Sequence, residues 1–240
     1  MWNVGCSAVV ANLTLYRAAF DSSSGSSPTN PRRQTNYASG FLDAGFLYSH
    51  SPERMSALRT FTGGRLRGDS FAGVPVNSAG LAMEGGSAPS QQRLTGDDRG
   101  NANPGLLAVT SLWLLEHNRQ CSRLAQQQPS WGDSQLFNAA RRRVIALWQH
   151  VTANEALPAL LGAPLPTYSG YDPGADPSPS VEFAAVAEAG GVLSTGGGWL
   201  PLTDQGTLHS IGPLLERDVA VDPVFLDACS AGDLLRGGMY

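Results

Sequence analysis

Few side chains in this sequence are of types that do chemistry, and their spacing closes most of the usual routes. His50, His117, His150 and His209 are not spaced from one another or from Cys6, Cys121 and Cys229 as a zinc site requires. A lone histidine on or near an apolar helix face reads as a structural residue whose hydrogen bonds are met within the fold. The three cysteines form no C-x-x-C and are too few and too dispersed for a disulfide framework. Neither a G-x-S-x-G elbow nor an H-E-x-x-H helix occurs. The glycine-rich run from Gly190 to Gly198 lacks a preceding strand and a lysine, so it reads as a turn rather than a phosphate cradle. All 16 basic residues are arginine, which excludes a Walker lysine, a Schiff-base lysine and a lysine-rich nucleic-acid arm. Arg141 to Arg143 would fan around a helix as solvated surface. With a net charge of -4 and no basic face, the chain is no partner for nucleic acid. Asn12-Leu13-Thr14 is a glycosylation sequon.

The elements that must position these groups differ along the chain. Its 240 residues contain 28 Gly and 16 Pro with only 15% charged residues, which predicts one domain, or a large piece of one, with many turns around a modest core. Residues 1–103 read as loop-rich, 104–195 as a helical core and 196–240 as a loop-rich tail. Between Phe20 and Gly100 only short apolar patches occur, so short helices within loops are expected. From Pro104 the pattern changes. Leu106, Leu107, Val109, Leu112, Trp113, Leu115 and Leu124 fall at helical spacings, and Asn103-Pro104 supplies a cap and a first-turn proline, predicting a helix from 104 to about 126. A second helix starts near Asp133 or Ser134 on the stripe Leu136, Phe137, Ala140, Val144, Leu147, Trp148, Val151. Pro158 should limit it, with Leu160-Leu161-Gly162 closing a short continuation. A proline-punctuated loop follows to Pro179, a third helix starts at Ser180 and fails at Gly190-Gly191, and Asp233 to Arg236 opens another. No stretch approaches the roughly 20 apolar residues of a membrane span. No basic n-region precedes the apolar run from Val4 to Ala11, so no signal peptide is expected and the start reads as internal to something longer.

One segment carries more than pattern. Leu94-Thr95-Gly96-Asp97-Asp98-Arg99-Gly100-Asn101-Ala102-Asn103-Pro104-Gly105-Leu106-Leu107, running on to Glu116-His117-Asn118-Arg119, resembles the animal haem peroxidase family. Trp131 to Phe137, Ala139 to Leu147, Asn154-Glu155, Leu157-Pro158, Tyr171-Asp172-Pro173 and Asp176-Pro177 follow in the family's order. Within the family the likeness is to the peroxidase-like ectodomains of dual oxidases, through Ser27 to Pro31, Phe41 to Ala44, Ala57 to Gly64 and Leu165 to Tyr171. It covers roughly residues 20 to 185, about the middle half of the family domain, with a weaker likeness at Leu234 to Gly237. The fold it implies is mainly α, a peroxidase-like helical fold of which this chain carries the central portion.

The resemblance also implies roles. Arg99 matches the family's distal arginine, which stabilises charge as the O–O bond of hydrogen peroxide breaks; a guanidinium suits that task because it stays charged and offers fixed donors. Arg99 and Asn103 would lie toward haem. Ala102 stands where many members have a Glu bonded to haem, and Gly191 aligns with the iron-ligating histidine, so a degenerate haem site is implied. Ser39, Phe41 and Asp43 match a calcium loop built from a hydroxyl, a carbonyl and a carboxylate, with Gly45 in place of a further oxygen ligand. The implied reactants are hydrogen peroxide and an unknown donor, the implied location extracellular or luminal, and the implied neighbour an attached oxidase domain. The alternatives are a non-catalytic scaffold or interaction module and a truncated fragment.

Overall fold

The computed structural model describes residues 20–68, 73–83, 92–101, 104–184, 198–199, 203–205 and 214–215. The sequon at Asn12, Cys6 and Cys229, Ala102, Asn103, Gly191, His209 and the helix expected from Asp233 lie outside those residues.

Two long helices form the centre. Helix α3 spans Pro104–Gln127 and α4 spans Asp133–Val151, and they pack against each other along their length. Leu107, Thr110, Leu114, His117, Cys121 and Leu124 are all buried on α3. Their alternating spacing of three and four residues keeps one stripe facing inward. Helix α4 answers with Leu136, Phe137, Ala140 and Val144. Gln135 accepts the Gly132 N–H at 2.9 Å, the half of a capping box that glycine permits. Beyond the stripe, α3 leaves Leu112 and Leu115 half exposed, at 50% and 53%.

Pro158 acts differently from the expectation that it would limit the second helix. The chain runs from α4 through a π-helical turn, Thr152–Ala156, straight into α5, Leu157–Leu161, with Pro158 in the first turn of α5. A proline has no N–H and its ring crowds the carbonyl four residues back. The wider π turn opens the helix at that point and absorbs both defects. Gly162 at φ 71° then closes α5, its N–H donating to the Pro158 carbonyl at 2.9 Å. Residues 181–184 are helical, and the Ser180 hydroxyl accepts the Phe183 N–H at 3.1 Å.

The loop-rich part, 20–101, wraps one side of this hairpin. Helix α1, Gly45–Tyr48, is a single turn, and α2, Pro52–Leu58, begins with Pro52 behind the Ser51 cap, whose hydroxyl accepts the Arg54 N–H. A 3-10 turn, Asp98–Asn101, leads toward α3. Isolated bridges join Phe20 to Gln34, Arg59 to Leu66 and Val76 to Arg93. Far along the chain, β1 (Gly198–Trp199) pairs antiparallel with β2 (Leu214–Leu215), Gly198 opposite Leu215. The core joins both parts: Leu47, Tyr48, Leu58, Leu66, Val74 and Leu94 from the loops meet Leu107, Leu114, Phe137 and Val144 from the helices. Trp148 sits between Phe46 and Trp113, with ring centroids 5.0 and 5.3 Å away.

Candidate functional site

The segment that carries Arg99 is fixed by its neighbours on both sides. The Gly96 N–H donates to the Phe46 carbonyl at 2.8 Å, and a Cβ at Gly96 would stand 2.4 Å from the Gly45 carbonyl oxygen. Only glycine lets the two backbones approach so closely. Five residues on, Asn101 accepts the Arg93 N–H at 3.0 Å and donates to the Arg93 carbonyl at 2.9 Å, which ties the far end of the turn to the loop before it. Between these anchors Asp97 takes three hydrogen bonds from Arg99: from its backbone N–H and Nε at 2.9 Å each to Oδ1, and from Nη2 at 2.7 Å to Oδ2. The hydrogen bonds from Arg99 hold the Asp97 carboxyl down at about 2. The Arg99 side chain is more than half exposed, so this is a fork-shaped surface pair that closes a turn.

Ser39, Phe41 and Asp43 fall in one short turn. The Ser39 hydroxyl accepts the Phe41 N–H at 3.1 Å, the Phe41 carbonyl accepts the Asp43 N–H at 3.0 Å, and Asp43 Oδ1 accepts the Gly45 N–H at 3.0 Å. His50 Nε2 lies 3.8 Å from Asp43 Oδ2. The turn is pinned at its back, where Gln149 of α4 donates to the Leu42 carbonyl at 2.9 Å, and a Cβ on Gly40 would meet the Pro177 carbonyl oxygen at 2.4 Å. Three oxygens of the kind a hard cation takes are thus gathered, short of the six to eight that calcium prefers. Among the described residues no group of three or more His, Cys, Asp or Glu side chains could hold a metal ion.

The most deeply buried polar cluster lies elsewhere, between α1, α3 and the 59–66 segment. Tyr48 Oη is 2.8 Å from His117 Nδ1, His117 Nε2 is 2.9 Å from the Gly64 carbonyl, and Cys121 Sγ is 3.2 Å from that same carbonyl. A carbonyl only accepts, so Nε2 carries the imidazole proton and Nδ1 accepts from the tyrosine hydroxyl. Burial pushes His117 down to about 4, Cys121 up to about 11, and Tyr48 far above its ordinary value. All three groups are therefore neutral near pH 7, and the thiol is no nucleophile. Sequence spacing hinted at this cluster, since His117 and Cys121 stand four apart on the inward stripe of α3, but their partners Gly64 and Tyr48 come from distant loops. Arg141, expected on the solvated surface, instead stacks its guanidinium 5.2 Å over the Tyr48 ring, while Arg142 and Arg143 are exposed.

Two clefts are bounded by described residues. One, of about 530 Å³, lies between the 60–68 and 75–79 segments; the other, of about 670 Å³, lies beside the π turn and the 162–168 loop. Neither is lined by Arg99 or by a histidine. Among the described histidines, His117 is locked in its network, His50 faces Asp43, and His150 Nδ1 is 3.2 Å from Asn154 Nδ2. Among the described residues, no histidine lines either of these two clefts, and the guanidinium expected near peroxide is turned onto Asp97.

A family model described as animal haem peroxidase matches residues 7–207. Dual oxidase 2 of Rattus norvegicus is 40% identical over 184 residues, which cover 73% of this chain and 12% of that protein. Dual oxidase 2 of Homo sapiens is 38% identical and the dual oxidase of Drosophila melanogaster 35% identical over the same coverage. The chain thus spans about an eighth of the length of these relatives. Among solved structures, peroxidase A from Dictyostelium discoideum superposes with a TM-score of 0.77 at 29% identity, covering 86% of this chain and 41% of that one.

Proposed function

The chain belongs to the animal haem peroxidase family, and from that premise we propose that it is a degenerate peroxidase-like module of a dual-oxidase-type protein, a helical scaffold rather than a haem-bearing catalytic centre. The observation that carries this reading is the closed Arg99–Asp97 pair. A distal arginine works by placing uncompensated positive charge against oxygen as negative charge develops there. A guanidinium already neutralised by a fork-bound carboxylate stabilises that charge far less. Gly191, at the position aligned with the iron ligand, supports the same reading because glycine has no side chain to ligate with. The module would sit on the extracellular or luminal side, beside an oxidase domain, and contribute folding surface and contacts instead of turnover of hydrogen peroxide and a donor.

Incubation of the purified chain with haem, removal of the excess, and visible absorption alongside circular dichroism test this directly. A folded helical chain without a Soret band is the expected result. A sharp Soret band at one haem per chain, with donor oxidation by peroxide that Arg99→Ala abolishes, would replace the scaffold with a working peroxidase. The Ser39–Phe41–Asp43 turn is proposed as a weak calcium site within the same scaffold. Calcium should raise the melting temperature of the chain, and Asp43→Ala should remove that rise; a calcium-independent melting curve in the unmutated chain would withdraw the site.

A further inference from the structure

The cleft of about 530 Å³ between the 60–68 and 75–79 segments has a character that the scaffold reading does not use. Leu66 and Leu94 on its lining are buried at 2% exposure, and Val76 and Pro75 extend the apolar lining. Arg65 and Arg67 also line the cleft, on either side of Leu66. The alternation of an extended segment turns Leu66 into the core and leaves the two arginines on the opposite face. Both are exposed, and among the described residues neither guanidinium makes a hydrogen bond or ion pair. Arg59, a few residues earlier, shows the contrast: it is paired with Asp133 and stacked on Phe137. Among the described residues no carboxylate lines the cleft. Two arginines without a partner among the described residues thus line one cleft in a chain whose net charge is -4.

Their display is also rigid. Asn118 of α3 accepts the Leu66 N–H at 2.9 Å and donates to the Leu66 carbonyl at 3.1 Å, taking the place of a neighbouring strand. The Gly64 carbonyl is held by His117 and Cys121, and the Gly64 N–H donates to Asp133 at 2.7 Å. The Arg67 N–H reaches the Leu58 carbonyl at 2.7 Å, and the Arg65 carbonyl accepts from the Thr60 N–H at 3.0 Å. Fixed backbone beneath the two arginines lowers the ordering cost of binding. Ser78, across the cleft, adds a hydroxyl. The volume lies within the roughly 300–1,000 Å³ range of small-molecule sites.

We propose that this cleft binds a small organic carboxylate, its apolar body on Ala57, Pro75 and Val76 and its charged head on Arg65 and Arg67. The site is independent of haem and of peroxide chemistry, so it stands or falls separately from the scaffold reading. The carboxylate receives charge-assisted hydrogen bonds from guanidinium groups that have no partner among the described residues.

Benzoate, benzamide and inorganic phosphate, titrated separately into the whole chain and followed by amide chemical shifts at Leu66 and Ser78, decide the matter. Benzoate should bind saturably, and benzamide, its neutral counterpart, about tenfold more weakly or worse. Phosphate, lacking an apolar body, should also bind more weakly than benzoate. Arg65→Gln and Arg67→Gln should each weaken benzoate about tenfold with circular dichroism unchanged, and added salt should weaken it further. Equal binding of benzamide would remove the arginines from recognition. Phosphate as tight as benzoate would reduce the cleft to a general anion patch. No saturable benzoate binding, or full affinity in both variants, would likewise overturn the proposal.

Discussion

The loop-rich wrap, 20–101, and the helical hairpin, 104–161, share one core but are held by different forces. The hairpin satisfies its own backbone, and its helices need only an apolar stripe to find each other. The wrap has almost no ladders, so side chains must supply what a sheet would. Three asparagines do this in the same way: Asn77 bonds both the N–H and the carbonyl of Leu81, Asn101 those of Arg93, and Asn118 those of Leu66. A primary amide is a side-chain copy of a peptide group, one donor and one acceptor side by side, so it can replace a missing strand partner. A region poor in regular structure can thus be well determined if its buried backbone is paired one group at a time.

That contrast can be broken from either side. Leu114→Ala, in the middle of the hairpin's stripe, should cost about 3 kcal/mol in chemical denaturation, because it leaves a cavity between α3, α4 and the wrap. A loss below about 1 kcal/mol would mean the helices do not depend on that contact.

Acid should attack the junction of the two regions. His117 is neutral in the fold, with a pKa of about 4, and takes up a proton near its ordinary 6.5 in the unfolded chain. Between those values the unfolded state binds more protons, so stability falls as pH drops from about 6.5 to about 4, by about 3 kcal/mol at most. Melting temperatures across that window should decline in the unmutated chain and much less in His117→Gln. Asp97 acts lower: its depressed carboxyl contributes stability above its ordinary 3.8 that is lost as pH falls toward about 2.

Asn101→Leu sharpens the comparison. It leaves the Arg93 N–H and carbonyl without that partner in a buried site and should cost about 2 kcal/mol. Hydrogen exchange should speed up around 92–101 while the centre of α3 keeps its protection; uniform acceleration would mean that wrap and hairpin open as one unit. The smallest effect is expected at the hairpin's end, where Gly162→Ala forces a side chain into φ 71° and should cost about 1 kcal/mol.

The helices were legible because apolar residues at three- and four-residue spacing need no distant information. The starts at Pro104 and Asp133 and the end at Gly162 are written in local chemistry as well. Pro158 was legible as a defect, but not its remedy, since a π turn depends on how the surrounding helix can widen. Arg141 was misread as surface because a run of arginines carries no sign of the Tyr48 ring that one of them covers. The candidate site divides in the same way. Arg99 and the Ser39, Phe41 and Asp43 turn could be picked out by motif, yet the motif does not say that Asp97 closes on Arg99.

The sequence by itself determined the two long helices, the mildly acidic charge balance and the family, because those follow from residue type and short-range order. The tertiary structure alone decided which polar groups are buried together and which are left free. His117 met Tyr48 across 69 positions and Gly64 across 53, while Asn118 fixed Leu66 across 52, with Arg65 and Arg67 exposed on either side of it. The state of a polar group depends on its hydrogen-bond partners and on its distance from water, and both are set by chain segments far apart in sequence.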